Sequence, residues 1–228
     1  MIKRLIKKTA FYRLLRNSFQ KKIQEREMKR WEREGRFGPT PHIVKQNVLM
    51  EYSDKYGLNV LVETGTYFGD MVEAMKDCFH RIYTIELDQR LFRHAKKRFV
   101  SAKHVKIIHG DSGEELGKVI KKINQPILFW LDGHYSGEDT ARGKGDTPIY
   151  NELNHILNSK ENKHVILIDD AHCFGMEPSY PTIKDLKEFI NSKKDYFQVT
   201  VLENIIRVVP MLKGPDPPSH RLSEKPKA

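Results

Sequence analysis

Acidic residues follow three successive apolar runs of the chain, at places where a nucleoside could be bound. Glu63 follows the first run, Glu86 the second and Asp111 the third. A carboxylate at the second place can accept hydrogen bonds from both hydroxyls of a ribose, and one at the third can accept from the amino group of adenine. Each acid alone could simply cap the helix that follows it. The three together predict a nucleoside site.

The segment after the first run, ETGTYFGD over 63–70, is suited to hold the rest of such a ligand. Its two glycines, Gly65 and Gly69, allow a tight turn and a close approach of the ligand to the backbone. A helix that begins after Gly69 offers unpaired N–H groups. The spacing matches neither GxxxxGK[ST] nor GxGxxG, so an ordinary strand-to-helix turn is the alternative interpretation.

A second acidic group follows the fourth and fifth apolar runs. Asp132 comes directly after the fourth run, and Asp169 and Asp170 come after the fifth. Three like charges in one place are costly unless a cation joins them. Oxygen ligands suit Mg²⁺ or Ca²⁺, and Mg²⁺ typically binds a few carboxylates together with substrate oxygens. The pattern predicts a divalent-metal site; the alternative is that Asp169 caps the next helix and Asp132 pairs with a lysine.

The elements that must position these acids are indicated by apolar runs that alternate with helical stretches. The runs are 58–62, 82–85, 105–108, 127–131, 165–168, 197–202 and 205–209. Runs that are apolar on both faces suit buried parallel strands, and alternation with helices implies right-handed crossovers and a doubly wound α/β sheet. The last two runs are too close for a helical crossover, so one of them is expected to be antiparallel.

The series ETGTYFGD (63–70), IYTIELD (82–88) and HGDS (109–112) resembles the cofactor-binding half of class I S-adenosylmethionine-dependent methyltransferases. The resemblance implies a Rossmann-like seven-stranded sheet, mostly parallel, with one antiparallel strand near the C-terminus. It also implies S-adenosylmethionine as cofactor, with Glu86 at the ribose and Asp111 by the adenine. The chain departs from the common ExGxGxG pattern in having Tyr67 at the middle glycine. The implied cofactor-binding residues are Glu63, Thr64, Gly65, Thr66, Tyr67, Gly69, Glu86, Asp111, Ser112 and Asp132.

The second half of the series is similar to the macrocin O-methyltransferase-like group of Mg²⁺-dependent sugar O-methyltransferases. In that group an aspartate of a DGD-like turn and a following aspartate pair hold the metal, which corresponds here to Asp132, Asp169 and Asp170. The second aspartate of the DGD turn is proposed there as the general base, and His134 stands at that position. Histidine suits the task because it ordinarily titrates near neutral pH. His172 is the rival candidate for the base.

The charge of the chain is concentrated at its N-terminus. The formal net charge is +10, and residues 1–36 carry 13 Lys or Arg against 4 Asp or Glu. The distribution of charge therefore argues against a protein whose whole surface is basic and coats nucleic acid. Residues 1–36 read as a basic helical arm, for which three interpretations stay open. These are a solvated helix, attachment to an anionic membrane surface, and nucleic-acid binding, which has no recognisable base-reading module in its support.

The rest of the organisation is plain. Residues 37–57 are predicted to form a packing helix that leads into the core, 58–212 the methyltransferase domain, and 213–228 a disordered, proline-rich tail. No apolar run approaches the length of a membrane span, and basic residues interrupt any apolar signal region. Cys78 and Cys173 form no CxxC motif or disulfide framework. We expect a cytoplasmic protein, peripheral on the inner face of the membrane if the arm binds lipid.

The sequence-based hypothesis is an S-adenosylmethionine-dependent O-methyltransferase that acts with Mg²⁺ on a sugar or glycan hydroxyl. One alternative is an RNA or DNA methyltransferase, which the basic arm alone favours, since Asp-Gly-His-Tyr at 132–135 lacks the prolines typical of base amino-methyltransferases. Another is a catalytically inactive module of the same fold, because fold alone does not give function. Catechol-type O-methylation is also compatible with the metal site.

Overall fold

The computed structural model describes residues 22–36, 39–133 and 147–211, and seven strands lie within these ranges. They are β1 Val60–Thr64, β2 Arg81–Glu86, β3 Val105–His109, β4 Leu128–Leu131, β5 Val165–Ile168, β6 Phe197–Leu202 and β7 Ile205–Pro210. They form one sheet with the order β3-β2-β1-β4-β5-β7-β6. Strands β1 to β5 pair in parallel, whereas β7 runs antiparallel to both β5 and β6. The predicted mostly parallel seven-stranded sheet with one antiparallel strand is confirmed.

Helices cover both faces of this sheet. They are α1 over 22–33, α2 His42–Tyr56, α3 Asp70–Met75, α4 Gln89–Arg98, α5 Ser112–Ile120, α6 Ile149–Leu157 and α7 Ile183–Lys193. Apolar residues of α1 to α4 pack on one face of the sheet, around Leu61, Leu128 and Trp130. Those of α5 to α7 pack on the other, around Val62 and Phe129. Because the strands are covered on both faces, their side chains are apolar on both faces, as the runs in the sequence indicate.

The first strand begins two residues later than the apolar run predicts, because Leu58 belongs to the end of α2. Gly57 adopts a left-handed conformation with φ of 63°, its N–H bonds the carbonyl of Asp54, and the Leu58 N–H bonds that of Ser53. This is a Schellman cap, in which the residue after the glycine commonly makes an apolar contact. Leu58 is buried for that reason, and strand β1 then reaches as far as Glu63 and Thr64.

One face of helix α1 packs on the rest of the molecule. Trp31 is only 4% exposed and joins the core around α2, with Met28 packed beside it. The basic residues of the same helix are exposed, among them Arg26, Lys29 and Arg33. None of the helices in the described ranges combines the length and the apolar character that crossing a bilayer requires. Residues 1–21 and 213–228, for which an arm and a tail are predicted, lie outside the described residues.

Candidate functional site

The turn after β1 is shaped by close backbone packing at the carboxyl ends of β1 and β4. A Cβ atom at Gly65 would collide with the carbonyl oxygen of Asp132, so only glycine fits there. Tyr67, which stands where the related motif has a glycine, nevertheless keeps a left-handed backbone with φ of 51°. That conformation is uncommon for a residue with a side chain. It turns the Tyr67 N–H toward the end of β2, where Glu86 accepts it.

Glu86 ends β2 and is buried with both carboxylate oxygens engaged. The Tyr67 N–H donates to Oε2 at 2.7 Å, and the Asp88 N–H donates to Oε1 at 2.8 Å. A carboxylate has about four acceptor positions, so each oxygen retains capacity for one more donor. Burial raises the pKa of Glu86 above its usual range, and the backbone N–H groups of Asp88, Tyr67 and Leu87 offset part of the rise. Glu86 can therefore accept two further hydroxyl hydrogens.

Glu63, in β1, is at the end of a buried chain of hydroxyls. The Thr84 hydroxyl donates to Glu63 Oε2 at 2.5 Å, and the Thr66 hydroxyl lies 2.5 Å from that of Thr84. Because Thr84 uses its proton on Glu63, Thr66 must be the donor in the second contact. Burial raises the pKa of Glu63 to about 8, and the nearby carboxylates of Asp132 and Glu86 add to the rise. Glu63 is therefore largely neutral at pH 7.

Asp111 and Ser112 lie where β3 passes into α5. Asp111 is the N-cap of that helix, and its Oδ1 accepts the Gly113 N–H at 2.8 Å. The capping role that any single acid could have is thus realised here, and it occupies one of the two oxygens. Hydroxyls of Ser112 and Thr64 face the backbone at Gly133, within 3.0–3.2 Å of where a Cβ would stand. The Thr64 hydroxyl is fully buried and has no hydrogen-bond partner among the residues that the structure describes.

The three aspartates predicted to bind a metal do come together. Strands β4 and β5 are neighbours, and one carboxylate oxygen from each of Asp132, Asp169 and Asp170 lies within 4.8 Å of the others. Asp169 is 1% exposed, so its charge is strongly desolvated. The group has the hard oxygen donors that Mg²⁺ and Ca²⁺ prefer. The donor set therefore fits such an ion.

A lysine that the sequence analysis did not single out lies against this cluster. Lys45 of α2 bonds Asp169 Oδ2 through its ammonium group, although 124 residues separate the two in sequence. Burial alone would lower the pKa of Lys45, but the carboxylates of Asp169, Asp132 and Asp170 overcome it and hold the pKa above its usual range. Lys45 is therefore a cation in the described structure. No spacing or motif in the sequence links it to the aspartates.

Asn204, in the turn between β6 and β7, connects a cluster aspartate to a candidate base. The backbone N–H of His172 donates to Asn204 Oδ1 at 2.8 Å, and Asn204 Nδ2 donates to Asp170 Oδ1 at 3.3 Å. These contacts fix which end of the amide is oxygen. His172 Nδ1 lies 3.0 Å from that oxygen and must therefore carry a proton when the ring is neutral, which leaves Nε2 as the basic nitrogen. His134, the other candidate, lies outside the described residues.

No protein-family model and no curated protein matches the chain. Solved structures do match. The O-methyltransferase of Bacillus cereus, solved with SAH, aligns with a TM-score of 0.54 and 13% identity over 82% of this chain and 90% of that one. TomG, an O-methyltransferase of Streptomyces achromogenes solved with SAM, aligns with a TM-score of 0.52 and 16% identity over 73% of this chain and 79% of that one.

A third match is the methyltransferase PaMTH1 of Podospora anserina, solved with SAH. It aligns with a TM-score of 0.50 and 13% identity over 82% of this chain and 85% of that one. At these identities the likeness concerns the fold. The chain has the class I methyltransferase fold, with the strand order described above, and the resemblance seen in the sequence is confirmed at that level.

Proposed function

We propose that this protein is an S-adenosylmethionine-dependent O-methyltransferase that acts with a divalent cation on a sugar or glycan hydroxyl. The observation that carries the proposal is the placement of acids on a class I methyltransferase sheet. Glu63 and Glu86 lie at the carboxyl ends of β1 and β2, and the three-aspartate cluster lies at the ends of β4 and β5. In open α/β sheets, ligands bind at the carboxyl ends of the strands near the reversal of strand order, which here falls between β1 and β4.

The cofactor fits the polar groups around the turn after β1. Glu86 has capacity for ribose hydroxyls, because the N–H groups of Tyr67 and Asp88 occupy only part of the acceptor capacity of its two oxygens. The buried hydroxyl of Thr64 has no partner in the described ranges, and such a group is costly unless a ligand or water bonds it. Asp111 retains one carboxylate oxygen for an adenine amino group. Thr66, Tyr67, Gly69 and Ser112 are further proposed contacts.

Mg²⁺ would be held by Asp132, Asp169 and Asp170. Their oxygens lie within 4.8 Å of one another, which suits a small cation that binds through several carboxylates. When bound, S-adenosylmethionine supplies the sulfonium methyl group for in-line transfer, and Mg²⁺ lowers the pKa of an acceptor hydroxyl. Removal of the ion by EDTA should therefore lower the rate of transfer, while cofactor binding persists.

The chain's own residues would position the reactants and remove a proton. The methyl carbon leaves sulfur and bonds the acceptor oxygen, so the hydroxyl proton must pass to a base. His172 is one candidate, because Asn204 fixes its protonated Nδ1 and Nε2 is the acceptor nitrogen, 3.6 Å from Cys173 Sγ. His134 is the other, on the strength of the resemblance. Holding donor and acceptor in line accounts for much of the expected rate enhancement.

The test is transfer of a labelled methyl group from S-adenosylmethionine to a pool of nucleotide sugars and cell-surface glycans, with and without Mg²⁺. We expect labelled product with the wild type and none with Glu86→Ala. Glu51→Gln is a matched control, since Glu51 is an exposed carboxylate of α2. Cofactor binding without turnover on any pool would favour an inactive binding module. Labelling of RNA or DNA in place of glycans would favour a nucleic-acid methyltransferase.

We also propose that the basic arm brings the enzyme to the inner face of an anionic membrane, where lipid-linked glycan precursors lie. The exposed Arg26, Lys29 and Arg33 of α1 support this, since each basic residue near such a surface contributes about 1 kcal/mol. Deletion of residues 1–21 combined with Arg26→Gln, Lys29→Gln and Arg33→Gln should reduce partitioning onto vesicles that contain anionic lipid and leave partitioning onto neutral vesicles unchanged. Equal partitioning of both forms would contradict the membrane proposal. A steep salt dependence of RNA binding would instead support nucleic acid as the partner.

A further inference from the structure

Within the described residues, the ammonium group of Lys45 lies at the three-aspartate cluster. Lys45 belongs to helix α2 and not to the parallel strands that carry the aspartates. Helix α2 packs its apolar residues, among them Val44 and Val48, against the sheet. Lys45 lies beside Val44 in sequence and reaches Asp169 with its ammonium group. Its side chain is 16% exposed and that of Asp169 is fully buried. The pair is thus shielded from solvent at the place proposed for the metal.

The charges explain why a lysine belongs there. Asp132, Asp169 and Asp170 bring three carboxylates within 4.8 Å, and the charge of the buried Asp169 in particular is costly without a counter-ion. The Lys45 ammonium neutralises one charge and occupies Asp169 Oδ2, while Asp169 Oδ1 accepts the backbone N–H of Asp170 at 2.9 Å. An ammonium group and a divalent cation on the same carboxylate repel each other. The two cations are therefore alternatives at Asp169.

We propose that Lys45 is the resident counter-ion of the aspartate cluster and competes with the divalent cation for Asp169. The inference rests on the metal site of the proposed function and makes Lys45 a positioning residue that sets the affinity of that site. The metal-free protein keeps its fold because Lys45 balances the buried charge. Binding of the ion releases the ammonium group from Asp169.

The main test is binding of MnCl₂ and MgCl₂ to the full chain, measured by calorimetry without acceptor. Lys45→Met should bind the ions more tightly than the wild type, by at least about tenfold, because a positive charge at hydrogen-bond distance is removed. Lys45→Arg keeps the charge and should bind like the wild type. Lys55→Met is the matched control, since it removes the other lysine of α2, which is exposed beside Tyr52 and Tyr56. Equal affinities of Lys45→Met and Lys55→Met would overturn the proposal.

A second measurement uses the wild type, in case Lys45→Met does not fold. The ¹⁵N signal of the Lys45 ammonium group, assigned by its loss in Lys45→Arg, should shift on titration with MgCl₂ and saturate with the calorimetric affinity. A signal that stays unchanged at saturating Mg²⁺ would overturn the competition. Absence of ion binding in both proteins would also overturn it, whereas cofactor binding, measured without metal, decides the methyltransferase proposal separately.

Discussion

The carboxyl ends of the parallel strands lie along one edge of the sheet, and the acidic residues in the two halves of this edge are stabilised in different ways. In the half formed by β1 to β3, Glu63 and Glu86 are surrounded by hydroxyl and backbone N–H donors. In the half formed by β4 and β5, three aspartates converge, and within the described residues the Lys45 ammonium group bonds one of them, Asp169. The first half is balanced by neutral dipoles, and the second depends on cations.

This difference indicates what each half can bind. Neutral donors around a buried acid leave lone pairs that suit the hydroxyls of a ribose, and they do so without a net attraction for metal ions. A cluster of three carboxylates gives a divalent ion the oxygen ligands that it prefers. These two binding preferences are the ones that the proposed metal-assisted methyltransferase would need at this edge of the sheet.

The largest expected effect concerns Glu63. Its pKa is about 8 in the folded protein, against about 4.5 when unfolded, so its contribution to stability is complete below pH 4.5 and is lost as the pH rises through 8. The loss is on the order of 5 kcal/mol for a shift of this size. Glu63→Gln, which still accepts from Thr84, should show a flatter stability profile between pH 5 and about 9 in urea unfolding.

Glu51→Gln is the control, because Glu51 is an exposed acid. Its free energy of unfolding should follow that of the wild type across the same pH range. If the wild type and Glu63→Gln gave parallel profiles, Glu63 would be ionised in the folded state. The first half of the edge would then carry net charge like the second, and the contrast between the halves would fail.

The second-largest expected effect is the loss of stability in Lys45→Met, which tests whether the second half depends on its cation. Lys45→Met leaves the buried Asp169 carboxylate without its ammonium partner, and breaking a buried pair from one side typically costs about 3–5 kcal/mol. Added MgCl₂ should recover part of this loss, and it should stabilise the variant more than the wild type in thermal unfolding. A loss under about 1 kcal/mol, as for exposed pairs, would show that the cluster does not need Lys45.

The smallest expected changes in the free energy of unfolding come from substitutions at two threonines of the first half. Thr64→Val removes a buried hydroxyl without a partner, so it should leave the stability of the cofactor-free protein unchanged or raise it by up to about 1 kcal/mol. Thr84→Val removes the donor to Glu63 and the acceptor of Thr66, so it should destabilise by about 1–3 kcal/mol. Urea unfolding measures both, and a similar loss in each would mean that Thr64 is hydrogen-bonded in the cofactor-free protein.

Much of the fold could be predicted because its signals are local. Buried parallel strands require apolar runs, and each of the seven runs contains a strand. Some of the ends differ by one or two residues, as at Leu58, which packs at the end of α2, and at Ile127, which precedes β4. The convergence of Asp132 with Asp169 and Asp170 was also predictable, because neighbouring parallel strands end at the same edge.

The residues that complete the site could not be predicted in this way. Lys45 meets Asp169 across 124 residues, and its position in α2 differs in no visible way from that of any other lysine next to an apolar residue. Asn204 lies between the last two apolar runs of the sequence, and its φ of 59° fits a tight hairpin. Its contacts with His172 and Asp170, however, depend on how β7 pairs with β5. Such contacts arise from packing between distant elements.

Thermal unfolding with S-adenosylmethionine, on the wild type and on Glu86→Ala, tests the central claim most directly. A ligand at about 100 times its Kd adds about 2.7 kcal/mol of stability. For a domain of this size the melting temperature should rise by roughly 5–10 °C in the wild type. The rise should be absent in Glu86→Ala and retained in Glu51→Gln. No rise in the wild type at millimolar cofactor would contradict the assignment of this edge of the sheet to S-adenosylmethionine.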